Sequence, residues 1–558
     1  MKTGTLKPNK RAVFLFSFLL GIILFTAIYG IRVIDPQYDL WIFDIKDPDI
    51  KQHYIGWCHF RNSDWSFPLG LMNSLSWPFS ISVLYTDSIP LFAVIFKLFR
   101  NILPETFQYL GFFGMISMGL TGGFAGLILH KLLREPYHAI IGSAFFSVIP
   151  HLLQRMFFHT TLTAQWLILL PLLIWFSDSW RWKLRKRLAA WTISSFLAIT
   201  IHPYLWMMVF IIWFFSELET FYRNKELPSS IIIGLSYTVI GIFGLFIEGG
   251  FYGNVSTVYY AGGFESNLNS LFNPMGIGLV LPDLDLVGEF QYEGFGYLGL
   301  GIIIMVIISL GALLVHLIRD KRKSSLGKLI NSHPRRFLLS LMALVFALFS
   351  VYPTVSFGTD IIFTFPRIKL IDKFFGIFRS TGRFIWPLTF LIALTAFVFL
   401  RRYTNRIISL IVLSVCLLVQ FYDLSGTFAQ TREDIVREHK KHSCDLDSPE
   451  LLAVLDNYEH LVMFYDNNID LNKYAFFAYE HGLTINRFYF SRNIDSLVDE
   501  KLAEYTKELE DGEPEEDCIY IFDPAYPDFY MPYDLHIYDL TGTIIGVKDT
   551  IPGLEEIN

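Results

Sequence analysis

The chain has 558 residues, 53% of them hydrophobic and 17% aromatic, but only 17% charged, against about 25% in ordinary globular domains. Phe occurs 54 times, and runs such as AVFLFSFLLGIILFTAIYG exclude a wholly soluble protein and indicate a polytopic α-helical membrane protein. The net charge of −7 hides an asymmetry: residues 424–558 hold 10 Lys and Arg against 29 Asp and Glu, a balance of −19, which leaves +12 for the other 423 residues. Two domains follow, a basic apolar membrane domain over 1–423 and an acidic soluble domain over 424–558. The acidic tail argues against a nucleic-acid partner, since nucleic acid needs a positive surface.

In chain order, about 20 apolar residues are needed per span. Eleven spans are expected near 12–34, 107–130, 137–151, 163–178, 188–202, 204–221, 230–248, 297–318, 337–353, 384–400 and 407–423. The first is too long for a signal-peptide core and lacks a small-residue cleavage site, which predicts an uncleaved anchor. Segment 88–99 (SIPLFAVIFKLF) is too short to span and is expected to lie on the surface or re-enter. Loops on the N-terminal side (1–11, 131–136, 179–187, 222–229, 319–336 and 401–406) contain 23 Lys and Arg, and the longer opposite loops, tail excluded, contain 11. The excess of cations predicts a cytoplasmic N-terminus in a plasma membrane and an extracytoplasmic tail.

That sidedness gathers chemistry on the outer face. The first outer loop, 35–106, carries Asp47, Asp49 and His53, then the aromatic run CHFRNSDWSFPLG with Trp65, and a second acidic signature around Asp87. A wet interfacial loop also collects Trp and Tyr, but two carboxylates and an imidazole next to one another exceed what joining two spans requires. Arg155, His159, His202 and Glu265 lie in later outer loops, as do Arg367, Lys369, Arg379 and Arg383. Any one Arg at a span end is most simply a snorkelling side chain; the set together predicts an anion site. Pro48 suits the first turn of a helix, which would put His53 one turn beyond Asp49 and Asp49 at the positive end of the helix.

The tail reads as a small α/β domain. HLVMFY, CIYIF, FYMPYDLHIYDL and TIIGVKD suggest strands, and SLVDEKLAEYTKELED an acidic amphipathic helix. It has no glycine-rich phosphate loop, CxxC cluster or nucleophile elbow. Whether its two cysteines, Cys444 and Cys518, pair is open.

Several loop motifs together resemble those of bacterial members of the GT-C superfamily of membrane glycosyltransferases. They read Asp49-x-x-Gln52-His53-x-x-Gly56-Trp57, Phe60-Arg61, Trp65-x-Phe67-Pro68-Leu69-Gly70 and Thr86-Asp87-Ser88-Ile89-Pro90-Leu91. Further along come Arg155-x-x-x-His159, His202-Pro203-Tyr204, Asn267-Leu-Asn269, Gly296-Tyr297-Leu-Gly299 and Phe378-Arg379-Ser-x-Gly382-Arg383-Phe384. The resemblance covers residues 1 to about 423 and implies a GT-C-like fold that transfers sugar from a polyprenyl-phosphate donor to a cell-envelope glycan, polymer or lipid acceptor at the outer face. It implies catalytic roles for Asp49 (general base), Asp47, His53 and Asp87. Donor-phosphate contacts would come from Arg155, His159, His202, Arg379 and Arg383, and acceptor or sugar contacts from Trp57, Arg61, Trp65, Glu265 and Asn267. No cofactor is expected; the Asp47-x-Asp49 pair has the oxygen ligands for a divalent ion, but metal-free catalysis is favoured. A lipid-linked oligosaccharide polymerase or ligase uses the same donor class. A transporter or flippase would carry internal repeats and midplane charges, and neither is evident.

Overall fold

The computed structural model describes residues 9–45, 47–253, 262–319, 334–465, 470–492 and 494–557. The basic segment 319–336, which bears on sidedness, lies almost wholly outside the described residues. Two compact units emerge: residues 1–36, 109–242 and 257–437 form one, and residues 37–108, 243–256 and 438–558 the other. The first outer loop and the tail, far apart in sequence, thus belong to a single unit.

Every expected span coincides with a helix. Seven helices among the described residues are long and apolar enough to cross a bilayer: Lys10–Tyr29, Leu110–Leu133, Pro203–Asn224, Leu227–Ile247, Leu300–Ile318, Thr381–Tyr403 and Arg406–Val436. Pro136–Ser147, Trp166–Phe176, Leu184–Ile201 and Pro334–Ser350 are shorter or begin with a charged turn. The last long helix runs to Val436, past the expected domain boundary at 423, and carries Gly426 within it, packed against Leu279.

Small residues let the first two long helices cross closely. A Cβ on Gly21 would lie 2.7 Å from the Met118 carbonyl oxygen, and one on Gly122 would lie 2.7 Å from that of Ser17. Lipid gives no hydrophobic drive for such contacts, so close van der Waals approach has to supply it. Elsewhere in this unit a helix start is capped from a neighbouring helix. Gln420 Oε1 accepts from Gly301 N–H (2.9 Å), and Asp423 Oδ2 accepts from Leu300 N–H (3.1 Å) and the Tyr297 hydroxyl (2.8 Å). Gly299, at φ +81°, lies against the Gln420 side chain, where no Cβ fits. The Gly296-Tyr297-Leu-Gly299 motif is therefore accounted for by packing.

Ion pairs mark one end of the helical unit. Asp178 pairs with Lys131 (3.5 Å) and Arg335 (2.8 Å), Glu219 with Arg223 (2.7 Å) and Arg335 (2.7 Å), and Glu135 with Arg401 (3.2 Å) and Arg406 (3.1 Å). Four of the six basic loops read from the sequence as sharing one side, 131–136, 222–229, 319–336 and 401–406, contribute cations to these pairs. These charges sit within about two turns of helix ends and not at mid-span, unlike the pattern expected of a transporter.

In the second unit, helix Pro48–Asn62 is started by Asp47, whose Oδ1 accepts from Asp49 N–H at 2.9 Å, a standard N-cap. The turn Thr86–Ser88 packs on it at Gly56, where a Cβ would meet Ser88 Oγ at 2.7 Å, and Ser88 Oγ donates to the His53 carbonyl at 2.7 Å. Two of the sequence motifs are thus one structural element. A short helix, Pro90–Lys97, occupies the segment judged too short to span. The tail contributes a five-stranded sheet in the order Thr484–Ile485, His460–Met463, Cys518–Phe522, Thr543–Val547, His536–Leu540; its first three strands are parallel and the remaining pairings antiparallel. Helix Asp495–Glu510 buries Val498, Leu502, Tyr505 and Leu509, a spacing of three to four residues that makes one apolar stripe. Main-chain bonds join loop to tail: Trp77 N–H to Ile485 O (3.1 Å), Ile485 N–H to Ser74 O (2.8 Å) and Ser491 N–H to Tyr85 O (2.9 Å).

Overpacking a close helix crossing costs about 1–3 kcal/mol. Gly21→Leu is expected to lower the thermal midpoint of the detergent-solubilised protein, and Gly311→Leu, at a position open for 4 Å around, to leave it unchanged.

Candidate active site

Two arginines of the helical unit converge on a carboxylate that the sequence reading did not single out. Arg155 ends the short helix Pro150–Arg155 and reaches Glu293 with Nη2–Oε2 at 2.7 Å. Arg383 engages the same carboxylate through Nε (2.8 Å) and Nη2 (2.9 Å). All three are buried, Arg155 completely. Burial opposes the charge on Glu293, but the neighbouring Arg155 and Arg383 guanidiniums overcome it and hold the carboxyl well below the usual carboxylate range. One carboxylate thus serves two guanidiniums, and Arg155 Nε is buried with no hydrogen-bond partner among the described residues.

Aromatic rings line the cluster. Arg383 lies over Tyr204 (4.7 Å), and Arg155 over Phe158 (5.3 Å) and Trp386 (5.6 Å). Tyr204 Oη in turn accepts from Ser380 N–H at 2.7 Å. His159 Nδ1 is 3.4 Å from Arg155 Nη1. His202 caps helix Pro203–Asn224, its Nδ1 accepting from Tyr204 N–H at 3.1 Å, so that nitrogen is unprotonated and any proton sits on Nε2. Arg379 is half-buried over Phe264 at 5.6 Å, and the Phe264 carbonyl accepts from Gly382 N–H at 3.0 Å. No carboxylate pairs with Arg379 among the described residues. The structure therefore brings Arg155, His159, Arg383 and, through Tyr204, His202 together, and holds Arg379, four residues before Arg383, over the Phe264 ring from another loop.

Glu265 and Asn267 lie in the same unit. Glu265 is buried, and this pushes its carboxyl above the usual value against several backbone hydrogen bonds. Asn267 is occupied structurally: its Nδ2 donates to Gly358 O (2.8 Å) and Ser356 Oγ (3.1 Å), and its Oδ1 accepts from Gly358 N–H (3.1 Å).

In the other unit, Asp49 lies in the first turn of its helix at 9% exposure, and Asp87 adopts a left-handed turn (φ 51°). His53 is fully buried, which pushes its imidazole down to about 3; it is neutral at ordinary pH and packs inside the loop. Trp57 is also buried, with its indole N–H donating to Phe107 O at 2.8 Å. Arg61 binds the carbonyls of Glu105 (2.7 Å) and Leu103 (3.1 Å). Trp57 and Arg61 thus close the loop on itself, whereas Trp65 is 39% exposed. Lys97, unremarked in the sequence, sits over Phe60 (4.0 Å) and Trp65 (4.7 Å), and burial lowers its ammonium to about 7. Asp47 is the helix cap described above, a structural use for one member of the Asp47-x-Asp49 pair. A separate cleft of about 390 Å³, lined by Lys10, Arg11, His130 and Lys131 among others, lies at the basic end and contains none of these groups.

Glu293 has a sequence signal: it stands in the outer loop 249–296, which has no Lys or Arg, so its charge must be met from elsewhere. Glu293→Gln keeps the shape and leaves two buried guanidiniums facing each other. Breaking a buried pair from one side costs about 3–5 kcal/mol, which should appear as a lower thermal midpoint in detergent. Arg379→Gln, at a half-buried residue outside the pair, is expected to change it by much less.

No curated protein matches the chain. Among solved structures it is similar to the Archaeoglobus fulgidus oligosaccharyltransferase, in the apo form (10% identity, TM-score 0.42, covering 97% of this chain and 75% of that one). It is also similar to the same enzyme in complex with an inhibitory peptide and a dolichol-phosphate (11% identity, TM-score 0.40, 97% and 74%). Residues 18–425 match the family described as Domain of unknown function (DUF6311), and residues 450–548 match the DUF6311 C-terminal domain. These matches span most of the sequence, and the chain belongs to the DUF6311 family.

Proposed function

We propose that the protein is a membrane glycosyltransferase of the GT-C type, which moves a sugar from a polyprenyl-phosphate carrier to a cell-envelope glycan, polymer or lipid acceptor on the extracytoplasmic side. One observation carries this reading. Three arginines gather in the outer loops of the helical unit, and the half-buried Arg379 has no carboxylate partner among the described residues. A lipid-linked donor arrives from the bilayer, so its phosphate is met at a span end, where lowered dielectric strengthens charge pairing. Guanidinium suits that task through permanent charge and a planar pair of donors.

In this reading Arg379 binds the carrier phosphate, and the Arg155–Glu293–Arg383 cluster fixes the local field and the loop that bears Arg379. His159 and His202 stand beside that cluster. The acceptor hydroxyl attacks the anomeric carbon while the carbon–oxygen bond to the carrier breaks, and the electron pair departs on the phosphate. Asp49 takes the hydroxyl proton, with Asp87 as the second carboxylate. A single displacement of this kind inverts configuration. Trp65 is the aromatic face open to a sugar ring. No metal is required by this scheme.

Asp49→Asn retains size and removes the base, which typically costs about 10²–10⁴ in rate. With radiolabelled polyprenyl-phosphate sugars, this variant should bind donor and turn over at no more than about a hundredth of the normal rate; near-normal turnover would assign the proton to another group. Arg379→Ala should instead weaken donor binding, by about 2–5 kcal/mol where a buried phosphate loses its partner.

The sidedness read from basic loops places the tail outside. A reporter fused after Asn558 should be active only if it is of the kind that works outside the cytoplasm; activity from a cytoplasmic reporter would overturn the orientation.

A further inference from the structure

A hairpin and a short helix in the helical unit expose apolar side chains between two spans. Strand Thr354–Phe357 pairs antiparallel with Asp360–Thr364, and the two make a sheet of their own. The first strand is anchored. Its Ser356 is buried, the Ser356 carbonyl accepts from Leu268 N–H at 2.9 Å, and its Oγ accepts from Asn267 Nδ2 at 3.1 Å. The second strand is left as an edge. Ile361, Ile362 and Phe363 follow one another along it, each 50–60% exposed, and because neighbours on a strand point to opposite faces, both faces are apolar. A strand edge that stays in water is normally guarded by charge, proline or a covering segment, and a run of exposed apolar residues marks an interaction surface.

The helix Lys369–Ile377 follows five residues later. Leu370 and Ile377, 79% and 63% exposed, are seven residues apart and so share a face. Lys369 and Lys373 border that face, and Arg367 precedes it; all three are exposed. No carboxylate pairs with these cations among the described residues, and Asp372 on the same helix accepts from the Tyr352 hydroxyl at 2.8 Å. The other side of the helix packs on span ends. The Phe374 and Phe375 rings lie 6.0 and 5.2 Å from that of Phe349, in the last turn of Pro334–Ser350. Just past the helix, Phe378 lies 6.1 Å from Phe384, at the start of the span Thr381–Tyr403. These contacts hold the helix level with the span ends, where hydrocarbon gives way to headgroups.

We propose that hairpin 354–364 and helix Lys369–Ile377 form an interfacial surface seated in the headgroup layer of the bilayer beside these span ends. Ile361, Ile362 and Phe363 enter the boundary between headgroups and acyl chains together with Leu370 and Ile377, as the apolar face of an interfacial helix does. Arg367, Lys369 and Lys373 reach up to lipid phosphates, their stems covered by apolar surface. The open edge limits the depth, since unpaired N–H and C=O groups do not enter the hydrocarbon. Exposed Asp360 begins the same strand and keeps that end of the hairpin among the headgroups. Arg379 stands two residues past the helix and is thereby held near the level of lipid phosphates. The seat concerns the bilayer itself and stands whether or not Arg379 binds a carrier.

Full-length protein with Ile362→Cys is spin-labelled and placed in nanodiscs of phosphatidylcholine and phosphatidylglycerol. The four native thiols are buried, so the label goes to the engineered one. Collision of the label with oxygen, which concentrates in lipid, is compared with collision with a water-soluble nickel complex. Two reference labels bracket the depth: one on Ile307→Cys, exposed within the span Leu300–Ile318, and one on Glu513→Cys, exposed in the tail. The oxygen-to-nickel ratio at position 362 should lie between the two references, and Leu370→Cys, which decides the matter if the first variant fails to fold, should behave alike. A ratio equal to that at 513 would place the surface in water, and one equal to that at 307 would place it in hydrocarbon. Slow collision with both reagents would mean that protein covers it, a second copy included. Any of these three results would overturn the proposal.

Discussion

Glu293 is the group on which one end of the helical unit depends. A buried guanidinium is costly unless it is paired and hydrogen-bonded, and Arg155 is buried completely. Its partner comes from a six-residue 3₁₀ turn, Glu289–Gly294, and the same carboxylate takes two bonds from Arg383. Three segments, far apart in the chain, are thereby tied at one point. Gly294 packs there without room for a side chain, since a Cβ would lie 2.7 Å from Ser266 N. The loop bearing Arg379 inherits its position from this tie.

An analogous economy organises the unit built from the first outer loop and the tail. A polar, half-apolar loop of some seventy residues has too little surface to bury by itself. Main-chain bonds to the tail sheet, with Gln52, His59 and Trp77 reaching tail groups, complete its core. His59 is an example: its Nε2 donates to Ala475 O at 2.8 Å, and burial lowers the imidazole to about 4. Asp49 lies in the first turn of the helix from which Gln52 and Trp57 donate to the Tyr489 and Phe107 carbonyls.

Cysteine use follows the same logic. The four thiols are free and buried, and Cys444 and Cys518 form no bridge. Cys444 N–H is held by Asp447 at 2.6 Å, and Cys518 faces Glu515 and Asp517.

Much was legible in the chain by itself. Apolar runs located all the helices taken as spans, because spanning length and backbone satisfaction in lipid leave few alternatives. The alternation of basic loops foretold which loops share an end, since Lys and Arg cluster on one side, and the tail's strands and acidic helix followed from periodicity. Pro48 announced the helix that Asp47 caps. Tertiary structure decided the rest, for reasons of pairing across long separations. No local signal shows that Glu293 answers Arg155 and Arg383, that Trp57 and Arg61 are consumed by backbone carbonyls, or that His460 and Cys518 lie side by side. Each of those facts depends on which strands and helices become neighbours, and that choice is made by burial over the whole fold, beyond the reach of any one stretch of sequence.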